Sequence, residues 1–240
     1  MDAALIGLLA GSGWSAGISL YGATLALGLF GRFGPGGVPE VFTRTDTLVI
    51  VAILFALEFI ADKVPVLDSV WDAAHTLIRP AGAAVLALLL TGEASSAQQA
   101  LAAVGSGGLA LSAHATKATT RLAINSSPEP ISNAGVSFLE EGLVAAVVWF
   151  AITNPLVALV LVVVLVVAGT VVTVLLFKAA RRAVDRWRQR RRQRRRGGAL
   201  SERHSGGASL PDRGGGDRSP DRDGGDDPPV SRRRRALPPG

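Results

Sequence analysis

The chain has 240 residues, 48% of them hydrophobic, with a mean hydropathy of +0.35 and an isoelectric point near 10.9. Residues 1–177 carry six Lys/Arg against eleven Asp/Glu, residues 178–196 eleven against one, and residues 197–240 eight against seven. The apolar part is therefore mildly acidic and the basicity belongs to the tail, which excludes a basic soluble enzyme. The absence of Cys excludes a disulfide framework, a thiolate nucleophile and Cys-based metal centres.

A helix needs about 20 apolar residues to cross the hydrocarbon core. Residues 3–30 are uncharged and are read as a first, retained span, because no basic n-region precedes them and no A-x-A site follows. Gly11, Gly13, Gly17 and Gly22 punctuate this run and allow either a break or close helix packing. Residues 47–61 form a short second span containing Glu58. The apolar stretch 81–90 is too short alone, so a third span recruits the end of the polar stretch 62–79. Residues 97–124, with His114, Lys117 and Arg121, make a fourth, and 134–152, with Glu140 and Glu141, a fifth. The sixth, 155–177, is nearly all Val, Leu and Ala, starts at Pro155 and exits at Lys178, Arg181 and Arg182.

These elements divide the chain into a transmembrane domain (1–177), an Arg-rich juxtamembrane segment (178–196) and a disordered tail (197–240), the last being Gly, Pro, Ser, Asp and Arg with little apolar content. With the Arg-rich segment in the cytoplasm, six spans put the N-terminus there too; five spans or a re-entrant segment are the alternatives. Gly11-Ser12-Gly13 is echoed by Gly105-Ser106-Gly107, and Phe55-Ala56-Leu57-Glu58 by Phe138-Leu139-Glu140. Two three-helix repeats of inverted topology would produce such matches.

A charge near the centre of a membrane helix costs roughly 2.5–3.5 kcal/mol on insertion scales, so these helices must pair their charges or open them to water. Asp68, Asp72, His75 and Arg79 step by four, three and four, which places them on one face of one helix. His114, Lys117 and Arg121 step by three and four, again one face. Glu58, Glu140 and Glu141 supply carboxylates from the intervening helices.

Three readings follow. Asp62, Lys63 and Arg79 flank span ends and suit interfacial charges that snorkel and pair. A polar cavity that binds a substrate or relays protons would use His75 and His114, since imidazole titrates near neutral pH. A divalent metal on Asp68, Asp72 and His75 is the third, with Arg79 one turn on arguing against it. The turn Asn125-Ser126-Ser127-Pro128-Glu129-Pro130 is a rigid connector or a cap over the cavity, with Asn125, Glu129 and Asn133 facing it. No H-E-x-x-H, Walker loop or intramembrane serine-protease motif occurs. The Arg run 188–196, with Trp187 as interfacial anchor, reads as a positive-inside stop attracted to anionic lipid headgroups; it lacks the interleaved aromatics of a nucleic-acid binder.

Several of these segments resemble a bacterial membrane-protein family catalogued as domain of unknown function 4126. They are Glu58-Phe-Ile-Ala-Asp62-Lys63-Val-Pro65, Asp68-Ser69-Val-Trp71-Asp72-Ala-Ala-His75-Thr76-Leu-Ile-Arg79-Pro80, His114-Ala-Thr-Lys117-Ala-Thr-Thr-Arg121, and Asn125-Ser-Ser-Pro128-Glu129-Pro130-Ile-Ser132-Asn133. Gly17-Ile-Ser-Leu-Tyr21 leading to Gly28-Leu-Phe-Gly31-Arg32 is similar to it as well. The acidic pair Glu140-Glu141 departs mildly from the family's Glu-Asp. The resemblance covers residues 5–175 and implies a multi-pass inner-membrane protein with no established activity.

The sequence is thus read as an all-α integral membrane protein of the bacterial inner membrane, with its tail cytoplasmic. The leading expectation is a transporter or channel for a small polar or anionic solute or a lipid headgroup. Its binding or proton-relay residues would be Glu58, Asp62, Lys63, Asp68, Asp72, His75, Arg79, His114, Lys117, Arg121, Asn125, Glu129 and Glu140, with Arg79, Lys117 and Arg121 on the anion. The alternatives are a metal-dependent membrane enzyme acting on a lipid phosphate and a membrane scaffold or assembly factor. No catalytic residue is assigned, and no cofactor is expected unless the divalent metal binds. The lipid bilayer and anionic headgroups are the expected partners, nucleic acid is not, and homo-oligomerisation stays open.

Overall fold

The computed structural model describes residues 1–125 and 130–205; the side chains of residues 65, 66, 69, 125–134 and 190–205 lie outside the description. Among the described residues every regular element is a helix: α1 (Ala3–Ile18), α2 (Leu20–Phe33), the single-turn α3 (Glu40–Thr43), α4 (Thr45–Ala61), α5 (Pro65–Thr91), α6 (Ser96–Asn125), α7 (Pro130–Thr153) and α8 (Pro155–Ser205). Residues 1–188 form one packed unit; in the second unit, residues 189–205 are helical. The helix therefore extends past the expected boundary at residue 196, through the helix-forming Ala199-Leu200-Ser201-Glu202-Arg203, and residues 206–240 lie outside the described residues.

Among the described residues three helical segments are, by length and composition, long and apolar enough to cross a membrane: Val70–Thr91, Gly135–Thr153 and Pro155–Gln189. The third span does recruit the polar stretch, as expected, because α5 continues through Pro80. That proline removes the hydrogen bond to the Thr76 carbonyl, a loss that helices packed against neighbours tolerate.

The expected first span is broken at Ser19, whose extended backbone (φ −147°, ψ 103°) separates α1 from α2. The two halves run in opposite directions. Gly7 packs on Pro155 and Gly11 on Ala151, so α1 is antiparallel to α7, whereas Gly22 lies by Glu141 and Phe30 stacks edge-on against Trp149, so α2 is parallel to α7. Asp2, Gly36–Pro39, Leu90, Ile152 and Pro155 consequently meet around one cleft at the same end of the molecule. With 16 and 14 residues, α1 and α2 are about 24 Å and 21 Å long, each shorter than a hydrocarbon core of about 30 Å. The pair is a helical hairpin, so residues 3–30 form two short antiparallel helices and not one continuous helix, the break being one of the two outcomes that the glycines allowed.

Glycines set the spacing. A Cβ on Gly13 would lie 2.8 Å from the Ser106 Cβ, and one on Gly17 would overlap the Ala110 carbonyl. Residues 13 and 17 advance with residues 106 and 110, so α1 and α6 are parallel and their Gly-Ser-Gly triplets lie against one another. The helices carrying the other apparent repeat, α4 and α7, are antiparallel, because α4 opposes α2 (Gly22 with Phe55, Gly28 with Leu48). One rotation cannot relate both matches.

The distribution of polarity inverts that of a water-soluble protein. The largest fully buried side chains include Arg79, Arg121, Lys117, Glu58, Asp62 and Asp68, while Val49, Ile50, Leu77, Val104, Leu139, Val160 and Val171 are exposed. An apolar exterior around a charged interior suggests association with a membrane.

Candidate functional site

The break at Ser19 positions the charged centre. A helix end leaves carbonyls and amides unpaired, and the aligned peptide dipoles make a C-terminus partly negative and an N-terminus partly positive. At the end of α1 the Ile18 carbonyl accepts a hydrogen bond from Lys117 Nζ at 3.0 Å. At the start of α2 Ser19 caps the helix, accepting from the Gly22 amide at 3.2 Å, and its hydroxyl donates to Glu58 Oε2 at 2.8 Å. The broken helix thus presents its negative end to a cation and its positive end to a carboxylate.

Two ion-pair groups meet there. In the first, Arg79 donates to Glu58 Oε1 and Asp72 Oδ1, each at 3.0 Å, and to His114 Nδ1 at 2.7 Å. A guanidinium only donates, so His114 Nδ1 holds its lone pair and the ring proton sits on Nε2. That proton points to Thr76 Oγ1 at 3.1 Å, and Thr76 passes its own to the Asp72 carbonyl at 3.0 Å. In the second group, Lys117 Nζ donates to Asp62 Oδ2 at 2.6 Å and lies 3.6 Å from Glu140 Oε2. Arg121 forms a two-point pair with Glu140 at 2.5 and 3.3 Å, donates to the Asp62 carbonyl at 3.0 Å and lies 3.9 Å from Asp68. Isolated charges could not be held in such burial, and this mutual pairing is what makes it stable.

Nine of the thirteen expected residues therefore converge: Glu58, Asp62, Asp68, Asp72, Arg79, His114, Lys117, Arg121 and Glu140. The spacing arguments on α5 and α6 explain why, since each stripe lies on one helix face and α5 and α6 run antiparallel (Thr76 meets His114, and Pro80 packs on Gly107). Of the remaining four, His75 and Lys63 do not join. His75 donates from Nδ1 to the Trp71 carbonyl at 2.9 Å, stacks on the Trp71 ring at 4.6 Å and meets the edge of Tyr21 at 5.9 Å. Lys63 folds back onto the Phe59 carbonyl at 3.1 Å and over the Phe59 ring. The Asn125 side chain, like Glu129 and Asn133, lies outside the described residues.

Sequence reasoning assigned no role to Ser19, Thr76 or the Ile18 carbonyl. A Ser two residues after Gly17, in an uncharged run longer than one span requires, is an available signal for an N-cap at a break. Nothing local signals Thr76.

A cleft of about 240 Å³ between α5 and α6 reaches this centre, lined by Asp68, Asp72, Thr76 and Arg121 with Ala118 and the exposed Leu122. Asp68, Asp72 and His75 do not form a metal centre: Asp72 serves Arg79, Asp68 lies by Arg121, and His75 turns toward Tyr21. Among the described residues no group of three or more His, Asp or Glu is placed to hold a metal ion.

The family model described as "Domain of unknown function (DUF4126)" matches residues 6–175, which contain every residue of this centre. The chain belongs to this family. No curated protein and no solved structure matches the chain. Membership therefore fixes the kind of chain and assigns no activity, which leaves function to the geometry.

Proposed function

We propose that the protein is a multi-pass transporter or channel of the bacterial inner membrane, in which protons move through the buried ion-pair network and a small polar solute reaches it by the cleft between α5 and α6. The observation that carries this reading is the imbalance of the network among the described residues: three cations (Arg79, Lys117, Arg121) face five carboxylates (Glu58, Asp62, Asp68, Asp72, Glu140). A formal excess of two negative charges in a low-dielectric interior calls for mobile positive charge, either protons or a bound cation. Since each of the three cations is already engaged, the same arrangement favours a proton or small cation over the anion that the sequence pointed to. The helical hairpin supports the reading, because broken helices that turn their ends toward a polar centre suit ion and solute pathways.

Orientation is argued from the basic residues after Phe177, which support a cytoplasmic tail and suit attraction to anionic headgroups. The test is flux in proteoliposomes loaded with a pH-sensitive dye, with a potential imposed across the membrane, combined with thiol labelling of Thr76→Cys and Ala118→Cys in this Cys-free chain. Dye response above protein-free liposomes, abolished by Glu58→Gln, is expected, with labelling of both cleft positions. No flux over the background together with no access to either thiol would return the network to a purely structural role.

A further inference from the structure

One carboxyl lies at the edge of the network and belongs to neither ion-pair group. Glu141 follows Glu140 on α7, so its side chain leaves the helix about 100° round from the one that binds Arg121. It lines a separate cleft of about 180 Å³ between α2, α4 and α7, whose other walls include Gly22, Leu25, Ala26, Phe30, Phe55 and Val144. Its Oε1 is buried and has no hydrogen-bond partner, and among the described residues no cation pairs with it. The charged groups that act on it are Glu58 and Asp62 at the end of α4, Lys63 just beyond, and Lys117 of α6. Lys117 is committed to Asp62 and the Ile18 carbonyl, and Lys63 to Phe59.

The link to the network is Ser19. Its hydroxyl lies within reach of Glu141 and donates to Glu58 at 2.8 Å. A hydroxyl has one hydrogen to give, so an ionised Glu141 competes with Glu58 for it, whereas a protonated Glu141 donates to Ser19 Oγ while Ser19 donates to Glu58. The chain Glu141, Ser19, Glu58, Arg79 then joins the apolar cleft to the network without a break.

We propose that Glu141 is a proton-binding carboxyl open to this apolar cleft, and that it is a site of covalent modification by hydrophobic carbodiimides. The chemistry needs a protonated carboxyl in a place that an apolar reagent enters. The carboxyl proton moves to one reagent nitrogen, and the carboxylate oxygen bonds to the central carbon, giving an O-acylisourea. Migration of the acyl group breaks the bond between the acyl carbon and that oxygen and forms an amide to nitrogen; the oxygen stays on the central carbon as the urea carbonyl, leaving a stable N-acylurea. The product contains one whole reagent molecule, nothing leaves, and no oxidant or reductant takes part.

The experiment treats the full chain in lipid nanodiscs with dicyclohexylcarbodiimide or with a charged, water-soluble carbodiimide, and locates adducts by peptide mass spectrometry of the unmodified sequence. A single adduct on Glu141 from the hydrophobic reagent is expected, with its rate falling up to about tenfold per pH unit once the carboxyl ionises. Glu141→Gln removes that adduct. An adduct elsewhere, no adduct on Glu141, a rate independent of pH, or equal labelling by the water-soluble reagent would overturn the proposal. Mapping the unsubstituted chain keeps the result independent of how the variant folds, and the readout involves no flux, so this site and the transport reading can fail separately.

Discussion

Replacing Arg79 with Met tests whether the network holds the fold together. The side chain is fully buried and serves Glu58, Asp72 and His114 at once. Methionine is apolar and of similar length, so little packing is lost, but two carboxylates are left facing each other without their cation. Removing one partner of a buried pair costs about 3–5 kcal/mol, largely because the other is stranded in a dry site. Arg79→Met should therefore lower stability by about 3–5 kcal/mol, where an exposed pair would lose at most about 1 kcal/mol. The same reasoning fixes the rescue. In the triple variant Arg79→Met/Glu58→Gln/Asp72→Asn the charges disappear together with their desolvation cost, so stability should return to within about 1 kcal/mol of the starting protein or rise above it. Reversible SDS unfolding in mixed micelles, followed by tryptophan fluorescence, reads both numbers. A loss below about 1 kcal/mol in the single variant, or a triple variant no better than the single, would refute the account.

Other outcomes follow from the same geometry. Gly17→Ala drives a methyl into the Ala110 carbonyl and should cost about 1–3 kcal/mol, whereas Gly108→Ala, with open space around it, should be neutral or gain up to about 1 kcal/mol in the same unfolding assay. Single cysteines at Asp2, Ser95 and Asn154 should react with an impermeant thiol reagent from one side of the membrane and one at Arg182 from the other; Asp2 and Arg182 reacting from the same side would restore a first helix that crosses once. At the exposed end of α4, the hydrogen-bonded Arg44 guanidinium holds the Asp46 carboxyl down at about 2, with the Thr47 amide adding to the effect. A carboxyl depressed on folding contributes stability that is complete above its unfolded value and lost as pH falls through about 2. Arg44→Ala should move that titration upward toward the ordinary carboxylate range, as read by NMR.

Much of this protein is legible one helix at a time. The cost of a charge in an apolar helix and the 3.6-residue period are local properties. They identified the apolar segments, put Asp68, Asp72 and Arg79 on one face and His114, Lys117 and Arg121 on another, and marked the region as the candidate site. The place where residues 3–30 break was not legible, because four glycines and Ser19 all permit a break and the choice depends on what receives the freed ends. Lys117 accepts one end and Glu58 the other, and these lie 99 and 39 residues away from the groups they meet. Partner assignment is equally non-local: Lys63 and Asp62 are neighbours in the chain, yet one covers a phenylalanine ring and the other binds Lys117. His75 shares a stripe with Arg79 but is drawn off it by Trp71, four residues back on the same helix, and by Tyr21 from α2. Sequence pattern states which residues must be buried together. Which carboxylate faces which cation is fixed by packing, since only the approach of α1 to α6 and α7, at glycines that leave room for nothing larger, brings the broken helix to the charges.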